Sequence, residues 1–373
     1  MHAHAATELR RLYQTCRSSV TRSFAPHVPL YLCTLSFGAV TAALVAMYRL
    51  PFPLGSAVFF LDLIGKLALL MTAAVAMKHL WHLYREGQPE KPLIAMLRRL
   101  LDSATSGDRI GNIVHGLLTF TPLMMMFAAL KADLARIRPF SWDATFMNLG
   151  TTMGFGRPLW QVLQPALGHP PITAFLSFAY GMWFPVMFVC LFWQLTRPTN
   201  DTTRLQYLLS YAFAWFFGGF VVAALFSSAG PCFYDHIVGG PNPYAPLLQY
   251  LRETNRHWPV WTVDAQDALW QAYLTGKGEI QGISAMPSMH VTIATLMALL
   301  AWRTDRRLGI AFSIFAGIIL LSSIMLGWHY SADGLAGVAL GFLFWTLAGQ
   351  VTRGWAGNQA SFQEKPLLAS EAL

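Results

Sequence analysis

"GISAMPSMHV", residues 282–291, closes a long polar segment and opens an apolar run in a chain that is otherwise sparing with polar residues. Of its 373 residues 55% are apolar and only 12% are charged, outside the range of an ordinary soluble domain. Apolar runs of about 20 residues, the length a helix needs to cross about 30 Å of hydrocarbon, recur from one end to the other. The expectation is an all-α, polytopic membrane helix bundle. A formal charge of +8 would suggest nucleic-acid binding in a soluble chain. Here Arg and Lys fall in short loops between the apolar runs, as orienting anchors do, and no nucleic-acid partner is expected. The cysteines, at 16, 33, 190 and 232, form neither a disulfide framework nor a zinc spacing.

Eight spans are expected, at about 27–49, 57–84, 110–130, 171–195, 205–227, 287–302, 308–328 and 331–350. An even number puts both termini on one side. That side collects Arg10, Arg11, Arg17, Arg22, Arg85, Lys91, Arg98, Arg99, Arg197, Arg204, Arg303, Arg306 and Arg307, which assigns it to the cytoplasm of an inner membrane. The expected organisation is a basic N-terminal arm (1–26), two helices with an amphipathic surface segment (27–109), a six-helix catalytic domain (110–350) and a cytoplasmic tail (351–373). Three polar stretches then meet on the extracytoplasmic face: "KADLARIRPFSWDATF" after the third span, the segment 228–286, and the turn "GWHYSADG".

Each stretch carries chemistry. In "HYSAD", His329 and Asp333 are four residues apart, the spacing of one helical turn, so the carboxylate can hold one imidazole nitrogen and leave the other free as base or nucleophile. A His and an Asp at an exposed helix start would look the same. In "MPSMH", Pro287 suits the first position of a helix, leaving the N–H groups of Ser288 and Met289 as an anion site beside His290. In "KADLARIRP", Lys131 and Arg138 are seven residues apart, two turns of one helix, and can address one phosphate. Snorkelling to headgroups is the alternative reading.

Taken together, KxxxxxxRP, PSxH and HxxxD in this order resemble the type-2 phosphatidic acid phosphatase superfamily over residues 110–350. The resemblance implies that Lys131, Arg138 and Ser288 hold a phosphoryl group. It also implies that His290 protonates the leaving oxygen, and that His329, oriented by Asp333, attacks phosphorus to form a phosphohistidine. The family's third motif begins Ser-Arg; here the corresponding residues are Ser322 and Ser323. That difference, with "SSAGPCFYDHI" (227–237), resembles the branch of inositolphosphorylceramide synthase, which moves a headgroup from one lipid to a hydroxyl acceptor. Tyr234 and Asp235 become substrate-binding candidates, although the same residues also read as a turn in an interfacial aromatic belt.

The substrate is expected to be a lipid phosphate or phospholipid, with a polyol or lipid hydroxyl as acceptor, and neither a cofactor nor a metal is expected. A simple phosphatase of lipid phosphates or polyprenyl diphosphates is the alternative. A non-enzymatic lipid transporter is a third reading, with Asp62 and Lys66, one turn apart, as its ionisable pair.

Overall fold

The computed structural model describes residues 2–51, 54–87, 91–197, 201–278 and 281–364. It opens with α1 (His2–Tyr48), α2 (Leu54–Arg85), α3 (Pro92–Thr105) and α4 (Arg109–Ala132). A single turn, α5 (Leu134–Ile137), leads to α6 (Asp143–Met153), α7 (Leu159–Leu167) and α8 (Pro170–Leu195). Next, α9 (Thr202–Phe213) passes through a π-helical stretch (Ala214–Val222) into α10 (Ala223–Leu225). The polar segment holds a 3-10 turn (Pro231–Phe233), α11 (Tyr234–Ile237), α12 (Ala245–Asn255) and α13 (Trp261–Thr275). The chain ends in α14 (Met289–Thr304), α15 (Arg306–Met325) and α16 (Ser331–Glu364).

Among the described residues there is no strand, and six helical stretches are long and apolar enough to cross a membrane: Arg10–Tyr48, Arg109–Ala132, Pro170–Leu195, Thr202–Leu225, Arg306–Met325 and Ser331–Gly357. The chain is an all-α integral membrane protein. The remaining two expected spans fare differently. Helix α2 covers residues 57–84, though several of its side chains lie outside the described set. Helix α14 has 16 residues, which rise only about 24 Å. It starts at Met289, because Ser288 caps it, and nearly every side chain from Val291 to Ala301 is buried. A helix sheathed by protein need not match the hydrocarbon thickness.

The sheath is built by close approach. On α16, a Cβ at Gly337 would stand 2.8 Å from the Ser288 carbonyl oxygen, and one at Gly341 would stand 2.8 Å from the Thr295 side chain. Small residues at i and i+4 therefore let α16 lie directly against α14. One residue turns α14 into α15. The Asp305 backbone N–H bonds to the Ala301 carbonyl while its carboxylate accepts from Arg307 N at 2.8 Å and Leu308 N at 3.2 Å. It thus closes one helix and caps the next.

At the termini, residues read as an N-terminal arm belong to the same helix as the first span, and the last helix runs beyond residue 351 to Glu364. Residues 365–373 of the expected tail lie outside the described residues. Helix α3 has exposed Leu93, Ile94, Leu97 and Leu101 and no buried residue, the form of an amphipathic surface helix. Asp62 and Lys66 form a 2.6 Å ion pair exposed on α2, away from the bundle interior.

Candidate active site

The three polar stretches do converge, and a short strap, Ser227–Gly230, ties them together. The Ser227 carbonyl accepts from Ser141 N at 3.0 Å and Trp142 N at 3.1 Å, and its hydroxyl donates to the Arg138 carbonyl at 2.8 Å. Ser228 accepts from Ala285 N at 2.8 Å through its carbonyl and from Met286 N at 3.2 Å through its hydroxyl. Beyond the strap, Cys232 N donates to the Gly327 carbonyl at 2.9 Å. Gly230, at φ +104°, lies in a region closed to other residues, and a Cβ there would stand 2.6 Å from the Trp328 carbonyl oxygen.

On this frame His329 sits just ahead of α16 rather than within it. Its backbone N–H donates to the Ser323 carbonyl at 3.0 Å, and Nδ1 lies 2.8 Å from the Ala285 carbonyl and 3.6 Å from Asp333 Oδ2. A carbonyl can only accept, so Nδ1 carries the proton and Nε2 is the basic nitrogen. The pairing expected from the spacing is present as that 3.6 Å contact, and the same carboxylate oxygen also caps the helix start. Asp333 Oδ2 accepts from Tyr330 N at 2.9 Å, and Asp333 N returns a bond to the Tyr330 carbonyl at 3.1 Å. Its other oxygen, Oδ1, is buried without a partner. The carboxylate thus faces the imidazole while anchoring the helix start.

Ser288 and His290 occupy the start of α14. Pro287 precedes the cap instead of opening the helix, and the Ser288 N–H, expected to be free, donates to the Asp333 carbonyl at 3.1 Å. This bond couples the second motif directly to the third. The Ser288 hydroxyl oxygen accepts from Val291 N at 3.5 Å, which leaves its proton available. The His290 ring lies between Tyr180, stacked at 4.1 Å between centroids, and Trp183, also at 4.1 Å, with Phe184 edge-on at 5.5 Å. Its Nε2 is buried and has no hydrogen-bond partner. Both His329 and Lys131 lie near enough to act on it electrostatically.

The cationic stretch departs most from expectation. Helix α4 ends at Ala132, and the chain restarts as α5, so Lys131 and Arg138 do not share a helix. The break sits at Asp133, whose carbonyl accepts from Arg136 N and Ile137 N and whose carboxylate pairs with Arg136 at 2.9 Å. Lys131 faces inward, with Nζ 3.4 Å from the Ser284 carbonyl, whereas Arg138 is exposed. Tyr234 is buried, its ring 6.0 Å from Tyr244, and Asp235 is exposed on the outer side of α11. Of the tryptophans in the polar segment, Trp258 and Trp261 are exposed, and Trp270 stacks on His236 at 4.2 Å. Ser322 and Ser323 are fully buried. The Ser323 carbonyl accepts from both Trp328 N and His329 N, which ties this position to the main chain that carries the imidazole.

Sequence reasoning passed over Asp143 and Tyr330. Asp143 Oδ1 accepts from Ala229 N at 2.9 Å, Gly230 N at 2.8 Å and the Tyr330 hydroxyl at 2.8 Å. Burial, reinforced by the Asp143 charge, drives the Tyr330 phenol far above its ordinary range, so it remains a donor. A lone Asp opening a helix directly after the Arg-Pro stretch was the available signal. The aromatic slot of Tyr180 and Trp183 left none, since both lie mid-span among residues that read as lipid-facing.

Two histidines, a buried carboxylate, a capping serine and an inward lysine therefore share one end of the bundle. The family model of the PAP2 superfamily matches residues 144–347, more than half of the chain. The matched region includes Ser288, His290, His329 and Asp333 and begins after Lys131 and Arg138. No match was found among curated proteins or among solved structures. With the motif histidines inside the matched region and an all-helical membrane bundle around them, the chain belongs to the PAP2 superfamily.

Proposed function

We propose that this protein is a lipid phosphotransferase that works through a phosphohistidine on His329, with its site on the extracytoplasmic face. The observation that carries this reading is the bond from His329 Nδ1 to the Ala285 carbonyl, which makes Nε2 the nitrogen with the free electron pair. In the first step that pair attacks phosphorus and the bond to the leaving oxygen breaks. The departing alkoxide takes a proton from His290, and Asp333 stabilises the positive charge that develops on His329. In the second step His290 removes a proton from an acceptor hydroxyl, whose oxygen attacks phosphorus and returns the electron pair to Nε2.

Lys131 and the Ser288 hydroxyl supply charge and a donor for the phosphoryl oxygens, and Arg138 meets the outer part of the phosphate as it enters. The aromatic slot dries His290, which limits water and favours a larger hydroxyl acceptor. Burial of Ser323 where many relatives in this reading carry Arg supports the branch that resembles inositolphosphorylceramide synthase. The substrate class is therefore a phospholipid or lipid phosphate donor with a polyol or lipid alcohol acceptor.

The test is product analysis with purified protein, a labelled lipid phosphate or phospholipid and a panel of hydroxyl acceptors. Transfer of label to an acceptor is the expected result. Release of inorganic phosphate alone, whatever acceptor is offered, would leave a phosphatase and remove the transferase.

A further inference from the structure

Asp143 is a buried carboxylate, 1% exposed, that the reaction above does not use. It is the first residue of α6, where a helix N-terminus favours negative charge. Its position in the hydrogen-bond pattern is specific. One donor, the Tyr330 hydroxyl, belongs to the residue that follows His329. The other two, Ala229 N and Gly230 N, belong to the strap. The strap residue Ser228 holds Ala285, and the Ala285 carbonyl holds Nδ1 of His329. Two paths thus leave Asp143 and meet again on His329, one fixing its main chain and the other its ring.

A carboxylate is the group this junction needs. Ala229 N lies 2.9 Å from one oxygen and 3.0 Å from the other, so both oxygens face donors and no donor is wanted in return. An Asn side chain would turn an NH2 group toward an N–H or lose the Tyr330 hydroxyl as a partner. We propose that Asp143 is the positioning residue that sets the His329 imidazole for attack, by closing a ring of hydrogen bonds through Tyr330 on one side and the strap on the other. The proposal rests on His329 being the nucleophile, and its test separates the two ideas.

Steady-state kinetics on a lipid phosphate, and phosphoenzyme formation from an activated aryl phosphate in a single turnover, would be measured for the full-length wild type, His329→Ala, Asp143→Asn and Tyr330→Phe. The expectation is no phosphoenzyme in His329→Ala. In Asp143→Asn, kcat and the phosphorylation rate should fall about a hundredfold, the effect of misplacing a reacting group by about 1 Å, with KM within about twofold of wild type. Tyr330→Phe, which removes one path, should show a smaller loss of the same kind, and its effect should largely vanish in the Asp143→Asn background. Wild-type kcat in Asp143→Asn with an inactive His329→Ala would overturn the positioning role and spare the nucleophile. Full activity of His329→Ala would overturn both. If Asp143→Asn does not fold, Tyr330→Phe decides: unchanged kcat overturns the proposal, and a reduced kcat at constant KM sustains it.

Discussion

Replacing Gly230 by Ala loads the strap at a single atom. At φ +104° and ψ 166° the backbone is essentially reserved for glycine, and forcing another residue into it costs about 1–3 kcal/mol. The added Cβ would also stand 2.6 Å from the Trp328 carbonyl oxygen and 3.2 Å from the Ala285 Cβ. To restore a contact of about 3.4 Å the carbonyl must retreat by roughly 0.8 Å. Trp328 immediately precedes His329, and Ala285 holds its ring, so both supports of the imidazole move together. A displacement near 1 Å at a reacting group corresponds to about a hundredfold in kcat. Gly239→Ala is the matched control: its φ is +71°, but no atom lies within 4 Å of the new Cβ. That variant should lose about 1 kcal/mol of stability through its left-handed backbone and keep its kcat. The assay is turnover of a labelled lipid phosphate in detergent beside thermal unfolding of the same samples. A Gly230→Ala protein that is destabilised but turns over at the wild-type rate would refute the coupling between strap and imidazole.

Three further outcomes follow from other contacts. In His290→Ala, activity on a lipid phosphate should be lost while an activated aryl phosphate still phosphorylates His329, because an aryl oxide leaves without a proton; equal loss on both substrates, read by quench and mass spectrometry, would remove the acid role. His27→Ala should lower stability by about 1–3 kcal/mol, because the guanidinium of Arg204, fully buried, loses its 2.9 Å contact with His27 Nε2 and, among the described residues, keeps the bond to the Gln194 carbonyl. The kcat of that variant should not change, since the contact lies at the opposite end of the bundle from His329. With Cys16 and Cys232 removed, a cysteine at exposed His257 should react with an impermeant thiol reagent in intact cells, and one at exposed Thr304 should not; the reverse pattern would place the site on the cytoplasmic face.

What the sequence disclosed was whatever depends on neighbours along the chain. The hairpin at "RTDRR" is written in Asp305, a residue that can end one helix and cap another, and a hairpin of that kind carries His329 back to the depth of His290. Local signals failed where a partner from elsewhere claims the same group. Ser288 N–H is free by helix rules, yet Asp333, distant in sequence, supplies a carbonyl for it. The regular spacing of Lys131 and Arg138 suggested one helix, but Asp133 ends α4 between them. The strap was the least visible element. Apart from the Asp143 carboxylate, its partners are main-chain atoms of residues 138, 141, 142, 285 and 286, and a main-chain partner leaves no trace in side-chain identity. Asp143, by contrast, was visible as a residue and obscure in its purpose until those main-chain donors were seen around it.

The shortness of α14 has a bearing on how the protein responds to its bilayer. A span in contact with lipid tilts or kinks when the membrane thickens, and a group at its end moves with it. Helix α14 has almost no such contact, because α8, α9, α15 and α16 stand between it and the acyl chains. Helices such as α8 and α15, with exposed Phe175, Phe184, Ile310 and Ile314, take up the mismatch. His290 is carried by an element that does not sense the acyl chains directly, so the depth of this one imidazole should vary little among bilayers of different thickness even where the tilt of the outer helices changes.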